Sequence, residues 1–211
     1  MAIVHEQSPL SLGRNFAILN LDLMTILIDA VKDTPEAQSF ISNCIRWNDA
    51  VHNKDPRPLT LFTSLYFSND SQPELAGVHA PFTKLVKGFH PCVKGSPAVE
   101  IDSRFAVDDK DTLLQKTRWY AGMGNALEQI LKAQNIDTVV ISGLSLSGVV
   151  MSTVYRLFDL DYTIYVISDN VLELPVQHHI EFARVMLDSL LNKMNIRVIS
   201  IEEALQALEQ S

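Results

Sequence analysis

Residues 136–169 read IDTVVISGLSLSGVVMSTVYRLFDLDYTIYVISD. Two runs rich in β-branched residues, TVVIS from Thr138 and YTIYVIS from Tyr162, are separated by a glycine turn and a mostly apolar segment of helical length. Strand, glycine, helix and strand in that order make a crossover unit, and such a unit joins parallel strands. The helix SGVVMSTVYRLFDL is apolar enough to predict deep burial.

The same alternation extends in both directions. Downstream, VQHHIEFARVMLDSLLNKM predicts a helix, IRVIS a strand and IEEALQALEQ a closing helix. Upstream, TLLQK from Thr112 predicts a short strand, and GNALEQILKAQN a helix with Leu127, Ile130 and Leu131 on one side. FAILNLD, Phe16 to Asp22, is a buried strand that ends in a carboxylate. Thr34 and Pro35 suit the N-cap and first turn of a helix whose stripe is Phe40, Ile41, Cys44, Ile45 and Val51. PLTLFTSLYF supplies a strand from Leu59 to about Leu65. Residues 66–111, rich in Pro, Gly and Asp, form an irregular excursion of the kind used as a lid or partner surface. The pattern predicts one α/β domain over residues 1–211, with a parallel sheet covered by helices on both faces.

Composition narrows the function classes. Of 211 residues, 47% are hydrophobic and 20% charged, which suits a chain with a real core. The net charge of −8 argues against nucleic-acid or anionic-membrane partners, which require clustered cations. The segment from Lys84 to Lys94 holds three lysines and reads as a solvated loop. Two cysteines without a CxxC pair point to a reducing compartment. Cys44 belongs to an apolar helical stripe, and Cys92, in FHPCVKG, has no neighbouring signal of reactivity. MAIVHEQSPLSLGRN lacks the pattern of a signal peptide, and no run approaches the ~18 apolar residues of a membrane span. A cytoplasmic protein is the expectation.

In a doubly wound sheet, ligands bind beyond the carboxyl ends of the strands. Three features fall there: Asp22, Lys116, and the turn from Gly143 to Val149. Singly, each has an ordinary explanation: a capping aspartate, a surface lysine, a turn in which Gly148 allows close packing. Their convergence at one end of the sheet carries more information than any one of them.

Taken together, AILNLD, KTRWYAGMGNALEQIL and the stretch quoted at the outset resemble the motifs of the isochorismatase-like hydrolase superfamily, in the same order and over about residues 16–204. The resemblance implies a three-layer α/β/α fold with a six-stranded parallel sheet of order 3-2-1-4-5-6. It also implies an Asp–Lys pair at Asp22 and Lys116, and a non-proline cis peptide before Ser145 that turns backbone amides into the pocket. Many members are amidases with a cysteine nucleophile, and its position here is held by Val149. Leu146 replaces a frequent threonine. Valine has no lone pair, so thiol chemistry through this position is excluded.

The isochorismatases of this superfamily also lack the cysteine. They cleave an enol ether, isochorismate, to pyruvate and a dihydroxy-cyclohexadiene acid, which needs an acid and a water but no nucleophilic side chain. By resemblance, Asp22 is the acid and Lys116 its support. Amides around Gly148 and Val149 bind a polar oxygen, with Ser145, Leu146, Trp119, Leu65 and Ile26 lining the substrate site. Lys116 lowers the pKa of Asp22 while burial raises it, and the sequence leaves that balance open. Leu65 stands where isochorismatases carry a recognition glutamine, and no arginine occurs between Arg57 and Arg104; Lys84 or Lys87 is the available substitute. The alternative is a catalytically silent binding protein on the same fold. Some amidase members hold zinc through an aspartate and two histidines. Asp49 and His52 supply only part of that set, so no metal or other cofactor is expected. Of His178 and His179 at most one faces the sheet; His179 matches a histidine common in relatives after the position of Asp169, and a core or capping role is expected of it rather than a catalytic one. The resemblance further implies a homodimer and a small-molecule substrate. It extends to secreted effectors of filamentous microbes that act on a salicylate precursor and leave the cell without a signal peptide.

Overall fold

The computed structural model describes residues 10–87 and 92–211. The N-terminal MAIVHEQSP and residues 88–91, which include the first three of the FHPCVKG loop, lie outside them. Six strands form one sheet: β1 (Phe16–Leu21), β2 (Leu59–Leu65), β3 (Thr112–Lys116), β4 (Thr138–Leu144), β5 (Thr163–Leu172) and β6 (Arg197–Ile199). All pairings are parallel, and the order is β3-β2-β1-β4-β5-β6, as expected. The order in which strands are added reverses between β1 and β4, which creates the crevice where such sheets bind ligands.

Strand alternation explains the two cores. Ala17, Leu19, Val139, Ile141 and Val166 point to one face, against α4 (Leu127–Ala133) and α5 (Met151–Phe158). Ile18, Val140, Tyr165 and Ile167 point to the other, against Trp47 and Val51 of α2 (Pro35–Asn53) and Ile201, Ala204 and Leu208 of α7 (Ile201–Glu209). Burial on both faces accounts for the continuously apolar strands.

Helix ends follow their sequence signals. Thr34 accepts a hydrogen bond from Ala37 N at 3.3 Å, with Pro35 opening α2. Ser200 and Glu203 form a reciprocal capping box at α7. The stretch predicted as one helix after β5 is helical without interruption, but its geometry changes along the way: a tight turn at Val176–His178, α6 (His179–Val185) and a widened turn at Met186–Leu191.

Two departures matter for the site. A seven-residue helix, α1 (Thr25–Val31), follows β1, anchored by buried Ile28 and Val31. The excursion after β2 is tethered: Met24 bridges Ile101, Phe67 N donates to Cys92 O at 2.9 Å, and α3 (Pro81–Val86) folds within it. Among the described residues no helix is long and apolar enough to cross a membrane.

Candidate active site

Asp22 is the first residue past β1. Its backbone takes a left-handed conformation, φ 56°, which a short polar residue tolerates better than most. Its amide donates to Thr63 O at 3.1 Å, and Thr63 Oγ1 donates to Asp22 Oδ1 at 2.8 Å. Lys116, the last residue of β3, reaches across β2 and places Nζ 2.7 Å from Asp22 Oδ2. The same Nζ donates to Arg118 O at 2.9 Å. Both side chains are buried, so the pair lies in a medium where charge is costly. Burial pushes the Asp22 carboxyl above the ordinary carboxylate range, against the opposing pull of Lys116 and Thr63. Burial likewise lowers the Lys116 ammonium, against the pull of Asp22. Both shifts narrow the gap between the two groups and ease proton transfer between them.

The third component follows β4. Gly143 opposes Leu21 of β1, and a Cβ at Gly143 would lie 2.6 Å from Leu21 O, so only glycine lets these strand ends meet. The Leu144–Ser145 peptide is cis. Leu146–Val150 then forms a widened helical turn whose first bond runs from Val150 N to Ser145 O at 3.2 Å. Amides 146–149 precede that first bond and have no intrahelical acceptor. One is already occupied: Ser147 N donates to Glu173 Oε2 at 2.7 Å. Trp119 packs on Gly148, where a Cβ would lie 3.3 Å from its indole Cε2 and 2.6 Å from Ser145 Oγ.

These parts border a cavity of about 270 Å³. Of the residues singled out from the sequence, Asp22, Ile26, Leu65, Trp119, Ser145 and Val149 line it. Lys116 sits behind Asp22 and Gly148 beneath Trp119, so neither is part of the wall. Leu146 is also outside the wall. Its side chain is fully buried and begins the core stripe Leu146, Val150, Val154, Leu157. The spacing of four, four and three is a helical one, and it is the signal by which the sequence marks Leu146 as a packing residue.

Several wall residues carry no sequence signal. The excursion supplies Phe82, Leu85, Val86 and Cys92, and α1 supplies Leu27. Burial raises the Cys92 thiol, and the charge of Asp22 raises it further, so it rests as the non-nucleophilic thiol. Cys44 is buried in the core, and its thiol is pushed well up by burial. Glu173, just past β5, is a buried wall residue that binds the amides of Ser147 and Leu174. Its own amide donates to His179 Nδ1 at 3.3 Å. His178 is exposed. Asp169 lies away from the cavity and accepts from Ile201 N at 2.8 Å, at the start of α7. Lys84 and Lys87 are exposed and not on the wall.

Away from this site, His52 gathers with Asp108 and Asp111 rather than with Asp49. Arg57 bonds both aspartates, so a guanidinium already provides the positive charge a metal would bring.

The sequence profile of the isochorismatase domain matches residues 16–203. The chain belongs to the isochorismatase domain family. It is 26% identical over 144 residues to the N-carbamoylsarcosine amidase of Arthrobacter sp., a match covering 67% of this chain. The chain spans about half, 53%, of that relative's length. A solved cysteine hydrolase from Pseudomonas syringae pv. phaseolicola superposes with a TM-score of 0.79 at 14% identity, over 97% of this chain and 96% of its own. An isochorismatase family protein from Burkholderia thailandensis superposes at 0.71 and 19% identity, over 96% and 100%. At these identities the superpositions establish the fold.

Proposed function

We propose that the chain is a hydrolase that cleaves a small enol ether by general-acid catalysis from Asp22, with no covalent intermediate. The observation that carries this is the buried Asp22–Lys116 pair, with burial raising the Asp22 carboxyl, at the wall of a cavity that Val149 also lines, at the position the resemblance gives to the nucleophile. An amidase of the cysteine type needs a thiolate there. An enol ether needs a proton delivered to carbon.

Asp22 gives its proton to the terminal carbon of the C=C–O unit, and the carbon bearing oxygen becomes an oxocarbenium ion. Water adds to it and returns one proton to the Asp22 carboxylate. The hemiketal then breaks its C–O bond, releasing an alcohol and a ketone. Lys116, 2.7 Å away, stabilises the transient carboxylate. The apolar wall of Ile26, Leu65 and Val149 excludes bulk water, which strengthens the carboxyl's interaction with the developing charge.

Isochorismate is the enol ether that the family suggests, and it carries two carboxylates. No lysine or arginine among the described residues is on the wall to receive them. The test therefore uses two substrates: isochorismate, followed by pyruvate release, and the uncharged isopropenyl ether of cyclohexanol, followed by acetone release. Release from either that falls by about 10²–10⁴-fold in Asp22→Asn supports the proposal. Rates equal to the Asp22→Asn background with both ethers refute it and favour a binding protein on the same fold.

A further inference from the structure

The polar groups on the cavity wall are unusual in sign. They are the carboxylates of Asp22 and Glu173, the hydroxyls of Ser145 and Ser147, and the Cys92 thiol. No lysine, arginine or histidine among the described residues joins them. Asp22 is bonded to Lys116 Nζ at 2.7 Å. Glu173 has no cationic partner among the described residues. It is 1% exposed, accepts from Ser147 N at 2.7 Å and Leu174 N at 2.8 Å, and makes no ion pair among the described residues. His179, next to it, does not compensate, because burial lowers its pKa and leaves it neutral. Two amides supply partial charges, and a net negative charge remains on the wall.

Aromatic rings border the same turn. Trp119 lies over Gly148, one residue from the amide that Glu173 holds, and stands edge-to-face with Phe82 at 6.4 Å between centroids. Indole and phenyl faces attract cations and offer nothing to an anion. Arg118 stacks on Phe82 at 4.9 Å, but its guanidinium nitrogens bond the carbonyls of Thr117 and Glu74 outside the wall.

We infer that this cavity takes a substrate whose apolar body carries an amine or ammonium group, and that Glu173 is the residue that selects it over a carboxylate. The inference rests on the cavity being the substrate site of the proposed hydrolase. It names the class of enol ether that site accepts. A dianion brought into the cavity meets an unpaired carboxylate in a poorly screened medium, whereas an ammonium supplies the missing counter-charge.

The test is binding, separate from turnover. Titration calorimetry measures three probes of one shape on the full chain: benzylammonium, benzyl alcohol and benzoate. The expected order is ammonium, then alcohol, then carboxylate, with at least about tenfold between the first and last. In Glu173→Gln the ammonium binds no better than the alcohol, and the alcohol is unchanged. Benzoate binding as tightly as benzylammonium, an order that survives Glu173→Gln, or no benzylammonium binding at millimolar concentration each overturns the inference. The wild-type order alone decides if Glu173→Gln does not fold. Charge preference without Asp22-dependent hydrolysis removes only the proposed reaction, and hydrolysis without charge preference removes only this inference.

Discussion

At the scale of single residues, the balance between Asp22 and Lys116 governs the chemistry. Burial outweighs the lysine and raises the Asp22 carboxyl, so the acid form persists to higher pH than in an ordinary aspartate. An acid catalyst works while protonated. Turnover is therefore full at low pH and lost as pH rises through the folded-state pKa of Asp22. Lys116→Met removes the two influences of Lys116 that lower that pKa. The descending limb of kcat against pH should move to higher pH in any residual activity. The same variant should lose up to about 3–5 kcal/mol of stability at a pH high enough to ionise the unpaired Asp22. The loss should shrink as pH falls and the carboxyl takes up its proton. Urea unfolding across a pH series checks this, and a loss independent of pH would contradict the part given to Asp22 ionisation. Glu173 marks what residue-level reading of the sequence misses. A single acidic residue at a strand end has no periodicity, and its role comes in part from the Ser147 amide, in a turn 26 residues away.

At the scale of elements, the site depends on two strand ends that nearly touch and on the turn after β4. Gly148 has Trp119 against one side and Ser145 on the other. Gly148→Ala should displace one of them, costing about 1–3 kcal/mol and reducing probe binding as well as turnover. Thermal unfolding and calorimetry measure both. Ser200→Ala provides the contrast. It removes half of the α7 capping box, far from the cavity, and should cost about 1 kcal/mol with kcat unchanged. The strands were legible in the sequence because runs such as TVVIS and FAILNL are apolar on both faces and end at glycine or aspartate. α1 was not, since seven residues with little periodicity owe their helix to the packing of Ile28 and Val31. Leu146 was read from its neighbours in the turn, whereas its helical spacing to Val150 and Val154 places it in the core.

At the scale of the whole molecule, parallel topology brings residues 22, 116, 149 and 173 to one end of the sheet, and strand order alone explains three of these from sequence. The far wall comes from the excursion after β2, whose position is set by long-range contacts such as Phe67 to Cys92 that no local pattern encodes. α5 leaves Tyr155 and Phe158 exposed at its C-terminal end, followed by Leu160. These residues fit the homodimer that we propose from the family resemblance, and sedimentation equilibrium should give twice the chain mass. A monomer at micromolar concentration would remove that proposal without touching the site.

The central claim is that a protonated Asp22 delivers its proton to carbon. Hydrolysis of the isopropenyl ether of cyclohexanol in heavy water tests it most directly, with the acetone analysed by mass spectrometry. The account predicts acetone carrying one solvent deuteron in the new methyl group, formed at a rate that Asp22→Asn abolishes. Acetone formed equally fast by Asp22→Asn, or enzymatic acetone without that deuteron, would contradict it.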